Sequence, residues 1–116
     1  MRHQKQRATL GRKKGPREAL IRSLAESLIL HGKIVTTHAK ARALKRYVEP
    51  LITKAKRGTL ADRRHLIAHL YTDAVVLRLM NEIGPKYKER DGGYTRTTKV
   101  GVRPNDGAQK VVIELV

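Results

Sequence analysis

The sequence predicts an α+β fold, with about four helices packed on one side of a small mixed three-stranded sheet and a basic extended arm at the N-terminus. Three observations carry that prediction. Apolar residues recur at helical spacing in four stretches between Pro16 and Gly84, and β-branched residues gather in one short stretch after the first helix and in two near the C-terminus. Residues 1–17 hold seven bases (Arg2, Lys5, Arg7, Arg12, Lys13, Lys14, Arg17), no acid and no apolar period, so they bury too little to offset their ordering entropy and are expected to stay disordered until they meet a polyanion. A chain of 116 residues at 40% hydrophobic suits an arm over 1–15 and one domain over 16–116.

The elements follow in order. Pro16 is placed to open a first helix and Gly32 to close it, with Leu20, Ile21, Leu24, Ala25, Leu28 and Ile29 as its core face. Residues 33–36, mostly β-branched, predict a short strand, after which the Thr37 hydroxyl is placed to cap a second helix over about His38 to Arg57. That helix divides into a core arc (Leu44, Tyr47, Val48, Leu51, Ile52, Ala55) and a basic arc (Arg42, Lys45, Arg46, Lys56, Arg57), and Pro50 inside it predicts a kink, or a break after Glu49. Thr59 with Asp62 resembles a capping box for a short third helix carrying Leu66, Ile67 and Leu70. Asp73 is placed to cap a fourth, with Val76, Leu79, Met80 and Ile83 inward and Gly84-Pro85 as its stop. Residues 94–103 and 109–116 then read as a hairpin about the Pro104–Gly107 turn, with Val111, Ile113 and Leu115 on one face and Val100 and Val102 facing the same way; the first strand is its third member.

Charge narrows the function. The formal net charge is +16, from 26 Lys and Arg against 10 Asp and Glu, and it lies in three blocks. Residues 1–17 carry +7, 38–58 carry +6 and 86–103 carry +4, while the segments between are neutral. A chain this basic repels itself unless a polyanion neutralises it, and nucleic acid is the usual one. The absence of cysteine excludes disulfides and thiolate metal sites. The longest apolar runs are too short for a membrane span or a signal-peptide core, so a soluble, cytosolic protein is expected.

Nothing in the sequence points to catalysis. His65 and His69 stand at the spacing of a helical metal pair but lack a third ligand, and the expected reading is a solvated or RNA-facing pair. The acids are scattered, Ser23 and Ser27 have no base partner, and no glycine-rich phosphate loop occurs. We therefore expect no enzyme, cofactor, metal or small-molecule substrate. Tyr94, after Gly92-Gly93, either stacks on a base or packs in the core. With four aromatics, all Tyr, recognition should rest on RNA backbone and shape.

Met1-Arg2-His3, Leu10-Gly11-Arg12 followed by Arg17, Thr36-Thr37, residues 49–56, Arg63-Arg64, residues 92–96, residues 103–108 and Ile113-Glu114-Leu115 together resemble the bacterial large-subunit ribosomal protein seventeen family, in order over essentially the whole chain. The chain departs from the family pattern at Pro16, where histidine is usual, at Thr97, where an aliphatic residue is usual, and at Asn105, where glycine is usual. The resemblance implies a structural component of the large subunit, cytoplasmic, binding its ribosomal RNA near the outer end of the polypeptide exit tunnel beside neighbouring ribosomal proteins. The expected RNA contacts are Arg2, His3, Lys5, Arg7, Arg12, Lys13, Lys14 and Arg17 in the arm, and Thr36, Thr37, Arg42, Lys45, Arg46, Arg63, Arg64, Arg90, Tyr94, Arg96 and Lys99 in the body. A DNA-binding architectural protein would share the charge and is separated by competition between duplex DNA and ribosomal RNA. An RNA-processing enzyme would require turnover abolished by changing one acid or histidine.

Overall fold

The first helix, α1, spans Lys14–His31 and ends where Gly32 turns left-handed (φ 81°), its amide bonding the Leu28 carbonyl. A computed structural model describes residues 10–116, so Arg2, His3, Lys5 and Arg7 lie outside the described residues. Because α1 begins at Lys14, Lys14 and Gly15 form its first turn instead of belonging to an extended arm, and Pro16 sits third in the helix. Strand β1 (Lys33–Thr37) leads directly into α2 (His38–Arg57). Thr37 occupies the cap position, but its hydroxyl makes no cap bond.

Helix α2 passes through Pro50 without the break that proline predicts. A helix-interior proline costs about 3 kcal/mol. Val48, Leu51 and Ile52 around it are almost wholly buried, each contributing roughly 1.5–3 kcal/mol, so packing outweighs the lost donor. Gly58 (φ 65°) closes the helix as expected.

The capping box forms. Thr59 Oγ1 accepts from the Asp62 amide at 3.2 Å and donates to its carboxylate at 2.7 Å, opening α3 (Leu60–His69). Leu66 and Leu70 are buried, whereas Ile67 faces solvent. The next cap is Thr72 instead of Asp73, and its own side chain makes no cap bond. The unsatisfied amides before the helix are taken by Glu26 from α1, one of whose oxygens accepts from Tyr71 N at 2.7 Å and Thr72 N at 2.8 Å. Helix α4 (Asp73–Arg78) then runs without interruption into a π-helical segment (Leu79–Ile83) and α5 (Gly84–Lys86), so Gly84-Pro85 is not the stop. Gly84 answers to packing: a Cβ there would lie 2.8 Å from the Ala55 carbonyl oxygen of α2. Among the described residues no helix is long and apolar enough to cross a membrane.

Strands β2 (Thr95–Val102) and β3 (Gln109–Leu115) complete a sheet of order β1-β3-β2. The α+β architecture is as expected, but both pairings are antiparallel, so the sheet is not mixed. Ile34, Val111, Ile113 and Leu115 turn toward α1 and α2, together with the cross-strand partners of β3 at Thr95 and Thr97. Val100 and Val102 do not join this core. The register slips between Lys99 and Gly101, which pairs Val102 with Gln109 on the face of Val111, yet both valines are more than half exposed.

Candidate nucleic-acid interface

The second helix presents its basic side to a groove of about 890 Å³ whose far wall is the start of β2. From α2 come His38, Ala41, Arg42, Lys45, Arg46, Glu49, Pro50, Thr53, Lys54 and Arg57; across from them stand Gly92, Tyr94 and Thr97. The α2 members recur every three to four residues, as one helical stripe does, and at 1.5 Å per residue they extend over roughly 28 Å. Five of them are cations and one, Glu49, is an acid.

Glu49 is engaged by the strand. Its carboxylate accepts from the Tyr94 amide at 2.7 Å and the Thr95 amide at 3.3 Å, which pins the start of β2 to α2 and fixes the groove's width. Tyr94 is 2% exposed, so it is core and not a base-stacking platform. Its hydroxyl accepts from Lys56 Nζ at 2.9 Å and donates to the Arg90 carbonyl at 3.2 Å, and its ring lies 5.2 Å from that of Tyr87. The Lys56 ammonium outweighs burial and holds the Tyr94 hydroxyl below the usual phenol range. Lys56 also donates to the Arg90 carbonyl, so it turns inward and leaves the basic arc.

The expected contacts divide sharply. Arg42, Lys45 and Arg46 line the groove. Among the described residues, ion pairs join Asp62, Glu82, Asp106 and Glu114 to Arg57, Arg78, Arg103 and Arg96, and none involves Arg42 or Lys45. Arg63 and Arg64 are exposed on α3, outside the groove. Lys99 is exposed on β2 with its cross-strand partner Val111 on the helix side. Arg96 is paired with Glu114 through Nε at 3.0 Å and a terminal nitrogen at 2.7 Å, whereas Arg90 is exposed and its Nε donates to the uncharged Gly92 carbonyl, so it keeps its charge. Thr36 is half-buried on the helix-facing side of β1, and Thr37 is half-buried at the start of α2. Arg12, Lys13 and Lys14 are exposed about the start of α1, with Arg17 half-buried one turn in. The expected contacts left out Pro50, Thr53, Lys54 and Thr97, and Arg57 was placed on the basic arc but not among them; the α2 stripe was legible from its period, but its facing the start of β2 across a groove was not.

Among the described residues no group of three or more His, Cys, Asp or Glu is placed to hold a metal ion. His65 and His69 stack with ring centres 4.0 Å apart and 14° between planes, and His69 Nδ1 is engaged by the His65 carbonyl at 2.9 Å. His65 Nδ1 is buried with no partner, and burial, reinforced by His69 and Lys54, holds this imidazole below its usual pKa.

Known proteins share this sequence over most of its length. A sequence model of the family described as Ribosomal protein L17 matches residues 20–116. The chain is 51% identical over 107 residues to a protein of Carboxydothermus hydrogenoformans named large ribosomal subunit protein bL17, covering 92% of this chain and 96% of the relative. A protein of the same name from Moorella thermoacetica is 49% identical over the same coverage, and one from Erythrobacter litoralis is 48% identical over all of this chain and 83% of its own length.

Proposed function

Since the chain belongs to the ribosomal protein L17 family, we propose that this structural, non-enzymatic constituent of the large ribosomal subunit grips ribosomal RNA along α2. The observation that carries the reading is the set of five cations along the outward stripe of α2, of which Arg57 is paired with Asp62, in a groove whose one acid accepts from backbone amides. Phosphates meeting these side chains release condensed counterions, and exposed Arg63, Arg64 and Lys99 add charge around them. The basic residues before α1, including Arg2, His3, Lys5 and Arg7, extend the same electrostatic contact in this proposal as an arm preceding a single folded domain. A position near the polypeptide exit, beside other ribosomal proteins, follows from the family resemblance and is testable by cross-linking in assembled subunits.

The experiment is a salt titration of the full chain on large-subunit ribosomal RNA with duplex DNA as competitor. Contact with six to ten phosphates predicts a loss of about 10³- to 10⁵-fold in affinity between 50 and 200 mM salt. A nearly flat salt dependence, or a preference for duplex DNA, refutes the reading.

A further inference from the structure

We infer that the groove between α2 and the start of β2 receives an unpaired stretch of RNA, its phosphates on the rim cations and its bases against the lining. This rests on the reading of the chain as an RNA binder and goes further, because the groove is ill-suited to a duplex. Its lining is mostly apolar, with Pro50, Thr53 and Thr97 and the alkyl stems of the basic residues that border it. A duplex offers the rim a ridge of phosphates but has nothing to place against apolar surface, since its bases are paired and stacked inside. An unpaired strand satisfies both parts at once. Tyr94 offers no stacking face, because it is buried and held by Lys56 and Glu49, which leaves the exposed imidazole of His38 as the aromatic ring of the lining. Bases would lie on His38, on Pro50 and on flat guanidinium planes such as that of Arg42. The charge favours a polyanion: among the described residues no ion pair involves Arg42 or Lys45, and one oxygen of the groove's carboxylate, Glu49, is held by the strand. An acidic peptide would also meet the rim and therefore enters the test as a competitor.

The test measures anisotropy of the full chain with two labelled RNAs at about 150 mM salt, a fully paired hairpin and the same hairpin interrupted by a short run of unpaired adenosines. Counterion release alone favours the duplex, whose charge density is higher. The groove predicts the reverse, with the interrupted RNA bound about tenfold more tightly. The double change Arg42→Gln with Lys45→Gln should abolish that preference, whereas Arg63→Gln with Arg64→Gln, an equal loss of charge outside the groove, should weaken both RNAs alike. Thr97→Leu, which narrows the groove from the strand side at an exposed position, should also remove the preference and serves if the α2 variant fails to fold. Equal affinity for the two RNAs, or a preference untouched by both groove variants, overturns this inference while leaving the RNA-binding reading intact. Displacement by polyglutamate as effectively as by unlabelled RNA also overturns it. Failure of both RNAs to bind in a salt-dependent way refutes the reading beneath it.

Discussion

Helix α2 and the β2–β3 hairpin both descend from basic blocks of the sequence, yet the fold leaves them in opposite electrostatic states. On the hairpin, Arg96 meets Glu114 directly across the strands and Arg103 meets Asp106 across the turn. On α2, the acid in the middle of the stripe accepts from the amides of Tyr94 and Thr95, and among the described residues no ion pair involves Arg42 or Lys45 beside it. Counting bases along a chain therefore says little about which surface is electropositive; what decides is where the few acids are pulled. Here two glutamates, Glu26 and Glu49, each clamp a pair of consecutive amides some 45 residues away.

The strongest way to break the contrast is to release that clamp. Glu49→Ala strands two amides, one of them on a buried tyrosine, and should cost about 2–4 kcal/mol in denaturant unfolding. Glu114→Ala on the hairpin is the control, expected to cost under about 1 kcal/mol because the pair is solvated. Similar losses at both positions would mean that the groove wall is held by something other than Glu49. Next in size is Gly84→Ala, which presses on α2 from behind. Its Cβ would sit 2.8 Å from the Ala55 carbonyl oxygen, so backbone must shift, at about 1–3 kcal/mol. The variant should also weaken RNA binding if the register of α2 against β2 sets the groove.

Much of this arrangement was legible in local patterns. The division of α2 into core and basic arcs, the Gly32 and Gly58 stops, the Thr59-Asp62 box and the Pro104–Gly107 turn all depend on neighbours a few residues apart. What was not legible depends on distant partners. Tyr94 stood between two readings because its burial is decided by Glu49 and Lys56. Arg96 read as a free cation because only strand pairing reveals that it meets Glu114, and Val100 and Val102 read as core because their β-branched pattern does not show that both end up more than half exposed beside a register shift. Gly84-Pro85 looked like a stop because nothing local reveals that α2 requires a residue without a side chain there.

Acid should separate the regions further. His65 behind α2 is held neutral by burial, with His69 and Lys54 adding to the effect, so its folded pKa lies below the ordinary value near 6.5. The unfolded chain then binds the proton first, and stability present above about pH 6.5 declines as pH falls toward the folded pKa. Asp62, kept low chiefly by Thr59 and then by Arg57, follows the same sign at lower pH, with stability fully present above about pH 4 and lost as pH falls through its folded pKa. Thermal melts should show two declines, and His65→Gln should remove the upper one alone.

The smallest expected effect is also the most direct probe of the contrast. Glu114→Gln keeps shape and hydrogen-bonding capacity but removes the charge that occupies Arg96, so stability should move by less than about 1 kcal/mol. Binding should respond in the other direction. If Arg96 is silent only because it is paired, the freed guanidinium gains at most one phosphate contact, and affinity at low salt should rise about two- to threefold with a correspondingly steeper salt slope. No change would mean that the hairpin lies away from RNA altogether, which sharpens the assignment of binding to α2. A gain of about tenfold or more would place the hairpin at the centre of the interface and reverse the comparison.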